Sequence, residues 1–100
     1  MFVFNKQKFL NAIKNSDEFL REHVNLSKFS FSQCKDSLIL DINNEIVLVV
    51  DISNPQYEVY LKTDMCHNDL NIGRMRIATK VMEKIQQIFS TYQLMDPYEN

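Results

Sequence analysis

The chain is poor in the residues that build phosphate-binding loops and disulfide frameworks. It has one glycine, Gly73, whereas phosphate loops need several glycines so that the backbone can approach the phosphate closely. It has two cysteines, Cys34 and Cys66, and its first residues lack a basic segment followed by an apolar one. Two thiols without an export signal favour reduced residues over a disulfide. These shortages exclude the glycine-rich nucleotide-binding enzymes and predict a cytoplasmic protein.

Long apolar runs and an excess of charge of one sign are also missing. The longest apolar run is IVLVV at 46–50, whereas a membrane span needs about 20 such residues. The 11 basic and 13 acidic residues are dispersed and leave a net charge of −2, so no basic field is strong enough to hold a polyanion. We therefore expect no membrane partner, and nucleic acid is disfavoured as a partner.

Apolar residues at helical spacing mark both ends of the chain, in which 45% of the 100 residues are hydrophobic. Asn5 can cap a first helix, which the Asn-Ser-Asp triplet at 15–17 can break in two. A longer helix is predicted over 71–93. We expect a single domain over 1–95 and a frayed tail over 96–100.

Between the two helical regions the apolar period changes to two, which is typical of strands. Phe29 and Phe31 alternate with serines and predict an edge strand. Further strands are predicted at 38–42, 45–52 and 57–63. The fold class is therefore α+β, with an N-terminal helix, an antiparallel β-meander of three to four strands and a long C-terminal helix in two layers.

Asn43 and Asn44 suit a two-residue hairpin turn, because Asn tolerates the positive φ that such turns require. That turn sets Leu40 opposite Val47 across the ladder. Both faces of the sheet then carry apolar side chains, and helices packed on one face leave the other bare. Either the helices divide between the two faces or a second copy of the chain covers one of them, and we predict the second arrangement, a homodimer. Its interface is expected along one apolar row of the long helix: Met75, Met82, Ile85, Phe89 and Tyr92.

The stretch DMCHND at 64–69 crowds a thiol, an imidazole and two carboxylates together. Zinc sites that are visible in a sequence use paired ligands such as C-x₂-C, because one short turn then aims two side chains at one ion. Here Cys66 and His67 are adjacent, and Cys34 and His23 lie far from them. Asp and Asn also make turns and caps. We therefore predict a strand-to-helix loop, with no metal, no cofactor and no catalytic nucleophile.

Asp51, Glu58 and Lys62 lie on the second and third of the main strands. This arrangement, within the order helix, three strands and helix, resembles the core of the restriction-endonuclease-like nucleases. In that family a Glu-x-Lys pair on the third strand binds Mg²⁺ and steadies a water. Here Tyr60 stands at the lysine position, and Lys62 lies one step further along the same face. The resemblance implies a Mg²⁺-dependent nuclease, whereas solvated strand charges explain the same residues without one.

Arg74 and Arg76 open the long helix, and Lys80 follows one turn later. Basic side chains at a helix N-terminus oppose the macrodipole and cost roughly a few tenths of a kcal/mol each, so an anion or an acidic partner surface would explain them. The α-β-β-β-α order also resembles double-stranded RNA-binding domains, whose Gly and Lys-Lys pattern Gly73 and these three residues echo. We predict that Arg74, Arg76 and Lys80 bind a partner.

Paired catalytic groups, ligand spacing and cofactor loops are all missing from the sequence, while its apolar content is high. We therefore expect a small non-enzymatic protein that binds another protein as an inhibitor, adaptor or regulator. Its small size, low glycine content and acidic surface are similar to those of accessory proteins of phages and mobile elements. A nuclease and a nucleic-acid-binding module are the alternatives.

Overall fold

The computed structural model of the protein describes residues 2–62 and 72–97. Its elements in chain order are β1 (Phe2–Phe4), α1 (Lys6–Lys14), α2 (Glu18–His23), a 3₁₀ turn (Leu26–Lys28), β2 (Phe29–Gln33), β3 (Ser37–Ile42), β4 (Ile46–Asp51), β5 (Val59–Leu61), α3 (Ile72–Thr91) and β6 (Met95–Pro97).

The N-terminal helical region is broken in two, as the sequence predicts. Asn5 caps α1 with its side-chain oxygen, which accepts the N–H of Lys8 at 2.9 Å. Asp17 caps α2 in the same way and accepts the N–H of Leu20 at 3.1 Å. Each cap satisfies a backbone donor that the helix itself leaves unpaired. The two caps therefore fix two short helices at an angle that one continuous helix could not adopt.

Strands β2 to β5 form one antiparallel sheet in the order β2-β3-β4-β5. With α1 and α2 before this sheet and α3 after it, the predicted α+β fold with a β-meander of four strands is confirmed.

The predicted register of the β3–β4 hairpin is wrong by one residue. Leu40 lies opposite Leu48 rather than Val47, because the loop has three residues and closes with a bond of 3.0 Å from the N–H of Glu45 to the carbonyl of Ile42. The two loop asparagines do have a positive φ of 59°. A slip of one residue moves every side chain of a strand to the other face. The observed register gathers six buried apolar side chains on one face: Leu38, Leu40, Ile42, Ile46, Leu48 and Val50.

The end of the chain is not frayed where the structure describes it. Met95–Pro97 pairs with Phe2–Phe4, and the N–H of Asn5 bonds to the carbonyl of Leu94 at 2.7 Å. Alternation along the ladder then leaves Pro97 in a position that needs no N–H, so proline is tolerated there. The predicted frayed tail is therefore wrong for residues 96 and 97, while 98–100 lie outside the described residues.

All three helices pack on the same face of the sheet. Their buried side chains join the buried strand residues in one apolar cluster. Five phenylalanines with ring centroids 5.0–6.2 Å apart link β1, α1, β2 and α3. Phe4, Phe9, Phe29 and Phe89 belong to the cluster, and the exposed Phe31 packs against Phe4 at its margin. The other face of the sheet contributes no residue to this cluster.

Candidate binding surface

The face of the sheet that points away from the helices is here called the open face. Strand alternation and the register place ten described strand or strand-end residues on it. They are Ser30, Ser32, Ser37, Ile39, Asp41, Val47, Val49, Asp51, Glu58 and Tyr60. Lys62 follows on the same face, because its N–H bonds to the carbonyl of Val47 at 2.9 Å.

The centre of the open face is apolar. Ile39 lies opposite Val49, which lies opposite Tyr60, so these three side chains form a row across three strands. Val47 adjoins Val49 along β4. The aliphatic side chains are half-buried, and Tyr60 is 50% exposed. An antiparallel sheet with one solvated face ordinarily alternates apolar and polar residues, and this row departs from that pattern.

Carboxylates surround the apolar row. Asp41 lies beside Val47 and opposite Ser30. Its Oδ1 atom is buried and has no hydrogen-bond partner within the part of the chain that the structure describes. A buried acceptor is costly unless a donor reaches it. Asp51 and Glu58 are adjacent at the end of the face, where the N–H of Asp51 bonds to the carbonyl of Glu58 at 2.8 Å.

The two adjacent carboxylates are each engaged by a hydroxyl group. Asp51 Oδ1 accepts the hydroxyl of Ser53 at 2.6 Å and its N–H at 2.9 Å, and these bonds hold the pKa of Asp51 below its usual range. The Tyr60 hydroxyl donates to Glu58 Oε2. That bond to a carboxylate raises the pKa of Tyr60. At neutral pH the carboxylate of Asp51 is therefore charged, and the Tyr60 hydroxyl stays a neutral donor.

Of the three residues that resemble a nuclease site, Asp51, Glu58 and Lys62, the structure brings only two close together. Asp51 and Glu58 are neighbours, but Lys62 lies four residues beyond Glu58 on an extended strand, roughly 13 Å away at 3.3 Å per residue. The short strand that follows α3 pairs with β1 and does not join the main sheet. Within residues 2–62 and 72–97, no three His, Cys, Asp or Glu side chains group as metal ligands would. The face thus offers two carboxylates without the adjacent ammonium group.

The three basic residues of α3 do not form one patch. Arg76 and Lys80 are exposed and lie one turn apart, whereas Arg74 lies about 200° around the helix from Arg76. The Lys80 ammonium sits 4.5 Å from the centroid of the Phe19 ring, so it also contacts α2. Lys84, next in the same row, pairs with an acidic cap of α2. Their role in binding stays a prediction.

The proposed zinc ligands that the structure describes are far apart. His23 lies at the Asn43 end of β3, where the Asn43 side chain donates to the carbonyl of His23. Cys34 lies at the other end, where its N–H bonds to the carbonyl of Ser37 at 2.8 Å. Strand β3 separates them by roughly 17 Å at 3.4 Å per residue, so the two cannot share one ion. The other two residues of the cluster, 66 and 67, lie outside the described residues.

The predicted dimer row on the long helix is wrong for two of its five members. Ile85 is 0% exposed and Phe89 is 4% exposed, because both belong to the core of their own chain. Met75 and Met82 are half-buried, and Tyr92 is exposed. The row is therefore mainly an internal packing face, and the homodimer itself stays a prediction.

Sequence reasoning missed the open face as a unit because of the hairpin register. The one-residue error put Ile39 on one side of the sheet and Val47 and Val49 on the other. The sequence does show that both faces of the sheet are apolar. A hairpin loop of three residues instead of two would have placed Ile39, Val47 and Val49 on the same face.

Comparison of the chain with family models, with curated proteins and with solved structures finds no match. No helix within the described ranges is both long enough and apolar enough to cross a membrane.

Proposed function

We propose that the protein acts in the cytoplasm by binding another protein through the open face, as a non-enzymatic inhibitor, adaptor or regulator. One observation carries the proposal: Ile39, Val47, Val49 and Tyr60 form a contiguous apolar centre on a face that no described helix covers. Folded proteins rarely leave such a patch without a partner.

The charges of the open face indicate the chemistry of the partner. Asp41, Asp51 and Glu58 lie around the apolar centre, against one ammonium group at Lys62. A partner surface that combines apolar side chains with arginine or lysine complements this arrangement.

Tyr60 is the residue that we expect to contribute most to binding. Exposed tyrosines with an apolar body and a hydroxyl tip are enriched among the residues that dominate interface energies. Its ring is fixed by the bond from its hydroxyl to Glu58, so little side-chain freedom is lost when a partner covers it.

The test is affinity capture from the native cell with the wild-type chain and two variants. Val49→Lys places a charge in the apolar centre, and the matched control Gln87→Lys places the same charge on the exposed side of α3. We expect one partner to be retained by the wild type and the control and lost by Val49→Lys. Loss in both variants, or in neither, would contradict the open face as the binding site. Thermal unfolding confirms that each variant is folded.

Two assays separate this proposal from its alternatives. A nuclease would cleave DNA or RNA with added Mg²⁺ and lose cleavage on Asp51→Ala or Glu58→Ala. A nucleic-acid binder would be retained on heparin and released steeply with salt. Either result, obtained with the wild type, would displace protein binding as the function.

A further inference from the structure

Within the part of the chain that the structure describes, no other strand is bonded to the outer edge of β2. Strand β2 ends the four-stranded sheet, and β1 and β6 form a separate pair. The bond from the N–H of Cys34 to the carbonyl of Ser37 fixes which residues of β2 face β3. Ser32 and Ser30 lie two and four residues before Cys34, so their backbone N–H and C=O groups also point toward β3. The N–H and C=O groups of Phe29, Phe31 and Gln33 therefore point outward.

The side chain of Gln33 occupies the core face and leaves the backbone edge open. Gln33 lies opposite the buried Leu38, and its amide reaches β1 by accepting the N–H of Phe4 at 3.0 Å and donating to the carbonyl of Phe2 at 2.7 Å. Phe4 is itself part of the core. Strand β1 is thus held in the helical layer by a side chain, and the outward backbone groups of β2 take no part in it.

We propose that this edge binds β2 of a second copy of the chain, in antiparallel orientation about a twofold axis at Phe31. The sequence FSFSQ is nearly the same read in both directions about Phe31, so one register satisfies both copies. Phe31 lies opposite its counterpart, and Phe29 lies opposite Gln33 of the other copy. The outward groups of these residues then form up to six hydrogen bonds and join the two sheets into one of eight strands.

The side chains of β2 favour a second copy as the occupant. Edge strands that must not pair are ordinarily guarded by charged residues, proline or a bulge, and Phe29–Gln33 has no charged residue and no proline. The twofold register places no like charges opposite each other within the strand. It also buries Phe31, which is 38% exposed in one chain, against its own counterpart. On the open face, Ser30 meets Ser32 of the other copy.

That serine pair allows a test with two variants that differ in one side chain. Ser30→Lys with Ser32→Lys places lysine opposite lysine twice across the axis. Ser30→Lys with Ser32→Glu places lysine opposite glutamate twice. By sedimentation equilibrium at micromolar concentration, we expect the wild type and the Lys/Glu variant to have about twice the 11.9 kDa mass of one chain. The Lys/Lys variant should have the mass of one chain. Thermal unfolding shows that both variants fold.

Hydrogen exchange on the wild-type chain gives a second measurement. The outward N–H of Phe31 should exchange slowly in the dimer and become fast on dilution, whereas the N–H of Ser32, which faces β3, should stay protected. The proposal would be overturned if the wild type had the mass of one chain at every concentration, or if the Lys/Lys variant remained a dimer. It would also be overturned if the Lys/Glu variant dissociated as much as the Lys/Lys variant, or if the N–H of Phe31 exchanged fast at all concentrations. Because Val49→Lys leaves this edge untouched, it should keep the dimer even where it loses the partner protein.

Discussion

Gln86 and Val59 are joined by a hydrogen bond of 2.7 Å, in which the buried backbone N–H of Val59 donates to the side-chain oxygen of Gln86. The amide nitrogen of the same side chain donates to the carbonyl of Tyr57 at 3.1 Å. One side-chain amide thus bonds a donor and an acceptor two residues apart, as the peptide group of a neighbouring strand would. Gln33 does the same with Phe2 and Phe4.

The first prediction concerns Gln86. Gln86→Ala leaves the buried N–H of Val59 without a partner and should lower the free energy of unfolding by about 1–3 kcal/mol. Gln87→Ala is the matched control, because Gln87 is the exposed next residue of the same helix. The midpoint of urea unfolding measures both. Equal midpoints for the two variants would show that the Gln86 bonds contribute nothing to stability.

The second prediction concerns the hairpin loop, where Asn44 has a φ of 59°. Asn44→Gly and Asn44→Val remove the same amide side chain, but only glycine accepts this φ without a steric clash. We expect the valine variant to be less stable than the glycine variant by about 1–2 kcal/mol. Thermal unfolding of the pair measures this difference. Similar stability would mean that the loop readily adopts another conformation.

The third prediction concerns pH and Asp96, which accepts hydrogen bonds from Asn5 at 2.6 Å and Lys8 at 2.9 Å. These bonds hold its pKa below the ordinary 3.8. A lowered pKa in the folded state means that the carboxylate stabilises the fold above 3.8 and that this contribution is lost as the pH falls through the folded value.

Asp96→Asn should therefore be less stable than the wild type at pH 7, and the difference should shrink below pH 3.8. Urea midpoints at both pH values measure it. Glu22→Gln is the control, because the Glu22 side chain is exposed and takes part in no hydrogen bond or ion pair among the described residues. A difference between Asp96→Asn and the wild type that is the same at both pH values would rule out the charge as its cause.

The fourth prediction concerns the start of α3. Changing Arg74 and Arg76 to Gln should leave the melting temperature nearly unchanged, because both side chains are exposed, and should weaken the complex with the partner less than Val49→Lys does, because α3 packs on the face of the sheet opposite the open face. Lys14 and Lys35, exposed basic residues elsewhere on the chain, are changed to Gln as the control pair. Unchanged affinity in the arginine variant would remove these residues from the binding surface.

The positions of the helices and strands could be predicted because local patterns determine them. Asn5 and Asp17 cap helices through bonds to residues three positions away, and the period-two segments needed only their own neighbours. The register could not be predicted, because two asparagines with positive φ favour a two-residue loop, whereas the chain adds Glu45 to the loop and pairs Ile42 with Ile46. That single residue decided whether Ile39 and Val49 share a face.

Contacts between distant parts of the chain could not be predicted, because no local sequence pattern indicates them. The pairing of Phe2–Phe4 with Met95–Pro97 joins two three-residue segments from opposite ends of the chain, too short to show a periodicity. Gln86 looks like an ordinary solvated helix residue in the sequence, and only the approach of β5 gives it partners. The acidic surroundings of the open face were likewise visible as separate residues but not as one surface.

The Gln86 bonds also bear on how many copies can assemble. They occupy the outer edge of β5 at Tyr57 and Val59, so an incoming strand finds these backbone groups already taken. When two chains are joined through β2, the eight-stranded sheet ends at two β5 strands, and at each of them Gln86 already occupies the carbonyl of Tyr57 and the N–H of Val59. A helix glutamine would thus disfavour the addition of further strands and the growth of open-ended fibrils.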